Sequence, residues 1–235
     1  MNVSDKKLAY NIYTYLGALF ITSLVVCNLI FQKFFAWHPF EVTLFGERLF
    51  EISVGLLPYP ITFLITDVVS EIYGKRKANQ LVKAGLFASL FSLFIIYIGS
   101  CVTATSWSPV SNTMFDKVFG NAAIAVFASM LAYLFAQFID VQVYHFWKRK
   151  TKGRHLWLRN NFSTFTSQFV DTLVILLLLC GTEVIAWERF AGLLLSGFIF
   201  KVLVALLDTP LLYLVTYFFR KRFNLKFGEE LTLDY

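Results

Sequence analysis

Apolar residues in this chain come in long runs rather than in alternation or as one stripe of a soluble helix. Taken in order the runs are Leu8–Phe31, Tyr59–Gly74, Leu81–Val102, Phe119–Trp147, Phe162–Gly181 and Phe190–Phe219. Each approaches or exceeds the ~20 helical residues needed to cross ~30 Å of hydrocarbon. The pattern predicts an all-α integral membrane protein of six transmembrane helices, forming a single polytopic domain over residues 1–235. The second run is the shortest and least hydrophobic, as suits a helix wrapped by its neighbours. The first is too long for a signal-peptide core of roughly 7–15 residues and has no small-residue cleavage site after it, so it is expected to stay as a span. Between the first two runs, apolar and polar residues roughly alternate from Glu41 to Ser53 around Gly46, which fits a small external β-hairpin or an irregular loop. Pro58 and Pro60 then set the start of the second span, where a missing N–H costs little.

Polar residues inside the apolar runs change the picture from a set of spans to a site. Asp67 and Glu71 lie at i and i+4 in the second span, with Ser70 beside them. Gln137 and Asp140 in the fourth, and Gln168 and Asp171 in the fifth, repeat one spacing of three residues and so share a helix face. The sixth carries Lys201 and Asp208. An ionised side chain at the bilayer centre costs roughly 2.5–3.5 kcal/mol on insertion scales, so these groups are expected to face one another or a cavity. Asp67 precedes Lys75 by eight residues and Asp140 precedes Lys148 by eight, about 12 Å of helical rise in each case. Asp171 and Asp208 are each twelve residues from a basic residue, Arg159 and Arg220. Four helices thus bring their polar groups to overlapping depths. Interhelical hydrogen bonds alone, below about 1 kcal/mol each, offset too little of that burial, which favours a binding site. Glu71 is shallower and could pair with Lys75, and Asn28 of the first span could bond a neighbouring helix. Thr209-Pro210 beside Asp208 predicts a kink in the sixth span.

Charge then orients the chain. The net charge is +6, but Lys6, Lys7, Lys75, Arg76, Lys77, Lys83, the basic residues from Lys148 to Arg159, and Arg220, Lys221, Arg222 and Lys226 all fall in alternate connections. The other connections hold only Lys33, Arg48, Lys117 and Arg189. By the positive-inside rule both termini are expected in the cytoplasm, and the basic excess needs no nucleic acid. The composition, 57% hydrophobic and 15% charged with 27 Phe, agrees with a membrane protein. Cys27, Cys101 and Cys180 have neither pairing nor metal spacing and read as small buried hydrophobes.

No enzyme motif competes. There is no phosphate-binding loop, no dinucleotide glycine motif and no H-E-x-x-H, and His38, His145 and His155 are far apart in the chain. The G-x-G-D signature of intramembrane aspartyl proteases is also absent. The residues imply neither catalysis, cofactor nor metal.

The tract Pro60-Ile61-Thr62-Phe63-Leu64-Ile65-Thr66-Asp67 with Glu71-Ile72-Tyr73-Gly74, the tract Gln137-x-x-Asp140-Val141, the pair Asp171-Thr172, and Phe200-Lys201-Val202-Leu203 before Asp208-Thr209-Pro210 resemble the YhhQ-type queuosine precursor transporters, classed with the vitamin uptake transporters. The likeness runs from the first span to the basic C-terminus. It implies uptake of the 7-deazaguanines preQ0 and preQ1 across the cytoplasmic membrane, by a six-helix bundle similar to the substrate-binding subunits of energy-coupling-factor importers. Asn28, Asp67, Glu71, Gln137, Asp140, Gln168, Asp171, Lys201 and Asp208 would form the substrate site. Carboxylates suit a guanine-like edge with its parallel N–H donors, and amides can both donate and accept. A homodimer and proton coupling are both compatible with the sequence.

The orientation is testable. In a chain lacking Cys27, Cys101 and Cys180, a cysteine introduced by Ser111→Cys should react with an impermeant thiol reagent from outside, and one introduced by Lys152→Cys only from inside. Equal labelling of both from outside would overturn the assignment.

Overall fold

The computed structural model describes residues 3–30, 33–36, 43–44, 47–48, 51–120, 123–183, 186–226 and 228–231. Helices α1 (Val3–Ile30), α2 (Tyr59–Ile72), α3 (Gly74–Cys101), a short α4 (Asn112–Phe115), α5 (Ala123–Lys150), α6 (Leu156–Gly181) and α7 (Phe190–Phe223) follow in order. Five of these regions, Ser4–Ile30, Val54–Ile72, Gly74–Cys101, Leu156–Gly181 and Trp187–Phe223, are long and apolar enough to cross a membrane. Helix α5 is 28 residues long.

Between α1 and α2 lie two short antiparallel pairs. β1 (Phe34–Ala36) pairs with β4 (Glu51–Ser53), and β2 (Thr43–Leu44) with β3 (Glu47–Arg48). The second pair falls within the alternating stretch, of which residues 41–42, 45–46 and 49–50 lie outside the described residues, as does His38. The Ser53 hydroxyl accepts from the Gly55 N–H at 3.1 Å and starts the 3-10 turn Val54–Leu56 that leads into α2.

Helix α2 is the one the others enclose. It touches α1, α3, α5 and α7. Of its span 61% is buried, against 22% for α3 and 11% for α7, so α2 can carry polar groups while its neighbours meet the lipid. The apolar core lies around it, with Phe20 and Leu24 of α1, Val68, Val69 and Ile72 of α2, Val82 of α3 and Tyr144 of α5. Phe87, Phe91 and Phe94 on α3 and Leu207, Leu214 and Phe218 on α7 are exposed, as a hydrocarbon-facing exterior requires. Gly85 lets α3 approach α1 closely, for a Cβ there would lie 2.8 Å from both Phe20 and Leu24.

Two boundaries differ from the sequence reading. Helix α3 starts at Gly74, directly after α2, because Gly74 adopts φ +82° and turns the chain within one residue. Helix α6 starts at Leu156 rather than near 162, which carries Arg159 from an expected connection into the bundle, where it is fully buried. Pro210, where a kink is expected, lies inside an α7 that runs from Phe190 to Phe223. The Thr209 hydroxyl bonds the Ala205 carbonyl at 3.1 Å, the kind of local side-chain bond that lets a membrane helix tolerate proline.

Candidate functional site

Tyr59, Phe63, Asp67 and Glu71 follow one another at intervals of four residues, so they form a slowly turning stripe along α2. Each meets a different layer of the bundle.

At the C-terminal end of α2, named the inner end after the expected topology and opposite to the outer end, Glu71 is fully buried and surrounded by donors. Arg159 Nη2 of α6 lies 2.5 Å from its Oε1, and Arg220 of α7 bonds the same oxygen. The Tyr144 hydroxyl of α5 donates to Oε2 at 3.1 Å, and Lys148 Nζ stands 3.8 Å from it. Lys148 also bonds Glu230 at 2.8 Å, while the Leu231 N–H donates to the Ile72 carbonyl at 2.6 Å. The C-terminal segment is thereby tied to the end of α2. Lys75, the partner expected for Glu71, bonds Gln142 instead.

At the outer end Asp171 of α6 accepts from Lys201 Nζ of α7 at 2.5 Å and from the Tyr59 hydroxyl at 2.6 Å, both on Oδ2. Lys201 also donates to the Thr172 hydroxyl at 3.0 Å and sits 4.9 Å from the centre of the Tyr59 ring. Tyr59, Phe63 and Tyr133 form an aromatic trio with ring centres 5.0–5.8 Å apart. Gln137 of α5 donates to the Tyr133 hydroxyl at 2.6 Å.

Between these layers Asp67 and Asp140 lie within hydrogen-bonding reach of each other, 3% and 1% exposed. The Ser167 hydroxyl donates to Asp140 Oδ1 at 3.0 Å, and neither carboxyl is in an ion pair among the described residues. Six buried oxygens in and around these levels have no protein donor: Asp67 Oδ1, Gln137 Oε1, Asp140 Oδ2, Asn160 Oδ1, Gln168 Oε1 and Asp171 Oδ1. A buried acceptor without a donor costs about 1–3 kcal/mol, so such a concentration marks a place where something else supplies hydrogens.

A cleft lies between α2, α6 and α7, with walls that include Tyr59, Phe63, Thr164, Gln168, Lys201 and Asp208. The structure thus gathers Gln168, Lys201 and Asp208 on the cleft, with Asp171 bonded to Lys201, while Asp67 and Asp140 are not among its lining residues. Gln137 is joined to the cleft through the aromatic trio. Glu71 belongs to the inner ion cluster, and Asn28 turns its amide onto the Leu24 carbonyl of its own helix at 2.9 Å.

Tyr59, Tyr133, Asn160 and Arg159 were not singled out from sequence. The first two carried a usable signal, since Tyr59 lies eight residues before Asp67 and Tyr133 four before Gln137 on the same faces. Arg159 carried none, because a basic residue at a span end reads as an interfacial charge.

A bundle of long apolar helices with buried unsatisfied acceptors and a cleft is the arrangement of a multi-pass membrane carrier. Residues 53–215 match the family described as "Putative vitamin uptake transporter", and the chain belongs to that family. A Bacillus subtilis protein named "Probable queuosine precursor transporter" is 31% identical over 173 residues, 73% of each chain. A Haemophilus influenzae protein of the same name is 25% identical over 186 residues, 75% of this chain and 76% of its own. No solved structure matches.

The inner cluster yields a stability prediction. Glu71→Gln leaves Arg159 and Arg220 without their buried counter-charge, which should cost on the order of 3–5 kcal/mol and lower the melting temperature in detergent by on the order of 10 °C. Asp208→Asn breaks no ion pair and should shift it far less. Equal shifts for the two variants would contradict the assignment of Glu71 as the anchor of the inner end.

Proposed function

We propose that this protein is a six-span transporter that carries queuosine precursors, the 7-deazaguanines preQ0 and preQ1, into the cytoplasm, with both termini on the cytoplasmic side. The observation that carries the chemical part of this reading is the set of buried acceptor oxygens without a protein donor on Gln137, Asn160, Gln168 and Asp171. A 7-deazaguanine presents a ring N–H and an amino group side by side on one edge and a pyrrole-type N–H on another, so it supplies the donors that such oxygens lack. The names of the relatives point to the same class of compound.

In this reading the ligand enters the cleft with its plane against Tyr59 and Phe63, whose rings stand 5.3 Å apart at an angle of 46°. Gln168 Oε1 accepts from its donor edge. Lys201, already held by Asp171, offers an N–H to the ring carbonyl. Asp208 stands at the cleft's inner wall, where the ammonium group of preQ1 would find a counter-charge.

A host unable to make queuosine precursors, and lacking an importer of its own, should regain queuosine in its tRNA from external preQ0 or preQ1 when it expresses this chain. Gln168→Leu should lower that uptake about three- to tenfold with little change in melting temperature, because the lost oxygen has no partner in the protein. Absence of queuosine despite confirmed membrane expression would reject the deazaguanine reading. Rescue abolished by an equal concentration of guanine would instead favour a broader purine carrier.

A further inference from the structure

The buried carboxylates of the bundle differ in how their charge is met. Glu71 faces Arg159, Arg220 and Lys148, and Asp171 faces Lys201. Asp67 and Asp140 face each other, although each is more than nine-tenths buried. Two neighbouring ionised carboxylates would repel strongly at that depth. A proton held on the pair removes one of the two charges. The charge that remains has a cation at longer range, because Arg159 of the inner cluster acts on Asp67.

We propose that the Asp67–Asp140 pair is a proton-binding site that couples uptake to inward proton movement, separate from the groups that hold the transported molecule. The proposal rests on the transporter reading above and adds the coupling ion and its address. The pair carries one proton at rest and takes a second from hydronium on the outer side. An O–H bond forms on the remaining carboxylate, whose charge goes from −1 to 0, and water is released. On the inner side the same O–H bond breaks and the proton passes back to water. Asp67 Oδ1 and Asp140 Oδ2, which have no protein donor, are the atoms free to accept it.

The groups that set this site come from three helices besides α2. Ser167 of α6 hydrogen-bonds to Asp140 with Ser163 beside it, and Arg159 of α6 acts on Asp67 across a longer distance. Asp208 of α7 adds a negative charge that favours loading from the cleft side, and Tyr144 of α5 lies between the pair and Glu71. Sodium fits less well, because a metal ion would take the place of the shared hydrogen that joins the two carboxyls.

The test uses the purified full chain in sodium-free liposomes, with the membrane potential clamped to zero and the uncharged preQ0 as the external probe. With the interior one pH unit more alkaline, one proton per molecule should concentrate preQ0 inside about tenfold. A protonophore should collapse the gradient to equality. Asp67→Asn and Asp140→Asn should still bind preQ0, read as a thermal shift, yet bring it only to equal concentrations. The infrared carbonyl band of protonated carboxyl groups gives a check that needs no transport, since it should lose a component in Asp67→Asn/Asp140→Asn. Wild-type protein that binds and equilibrates preQ0 without concentrating it, or that concentrates it only on a sodium gradient, would overturn the proton site and leave the transporter reading standing. An infrared band unchanged in the double variant would also overturn it. Wild-type protein that neither binds nor moves preQ0 would instead reject the transporter reading, and the coupling with it.

Discussion

A carboxylate enclosed by apolar helices must be met by a cation, a proton or a ligand, and the arrangement of this bundle follows from that demand. Helix α2 poses it twice, at Asp67 and Glu71, on a helix more buried than its neighbours. Glu71 is answered from within by Arg159, Arg220, Lys148 and Tyr144, which draws α5, α6 and α7 to one point at the inner end of α2. That convergence fixes the register of the four helices, and the levels above it are placed as a consequence. Along the same stripe of α2 Tyr59 reaches Asp171 and Asp67 reaches Asp140.

The result is a gradient of completeness along one helix face. The inner level is self-satisfied and further tied down by Glu230 and Leu231 of the C-terminal segment. The outer level is held by Asp171, Lys201 and Tyr59 but opens onto a cleft. The middle level is the unfinished one, where acceptor oxygens outnumber the hydrogens the protein provides. Buried polar groups without partners destabilise a fold, so a chain that keeps several at one depth has placed them there against the interest of stability. A ligand rich in N–H groups and a mobile proton both complete such a level, and neither has to stay.

Much of this was legible in the sequence, because its strongest signals are coarse. Runs of apolar residues longer than a membrane is thick admit few readings, and the polar layer is visible because charge inside such runs is costly. The depth argument from Asp67 to Lys75 and Asp140 to Lys148 gave the two carboxyls similar heights, and they do meet. What escaped were partners across helices. Arg159, Lys148 and Arg220 each sit at a span end, where a basic residue is expected on orientation grounds, so nothing in the chain distinguished a buried ion-pair partner from an interfacial charge. From sequence Glu71 is a site candidate that could instead pair with Lys75, while the structure gives it two arginines, a lysine and a tyrosine. Pro210 predicts a kink because proline removes a backbone donor. The local bond from Thr209 to Ala205 supplies the kind of compensation that lets α7 continue, and that compensation depends on a neighbour's hydroxyl rather than on any periodic pattern.

The central claim is that the bundle keeps separate places for its structural charges, its ligand and its exchangeable hydrogen. A structure determined with preQ0 bound tests this most directly. The account predicts the heterocycle in the cleft between α2, α6 and α7, edge-on to Gln168 and within reach of Lys201, with Asp67 and Asp140 still facing each other and Glu71 still bound by Arg159 and Arg220. A heterocycle lodged instead against Glu71, or one that separates Asp67 from Asp140 and takes both carboxylates for itself, would contradict it.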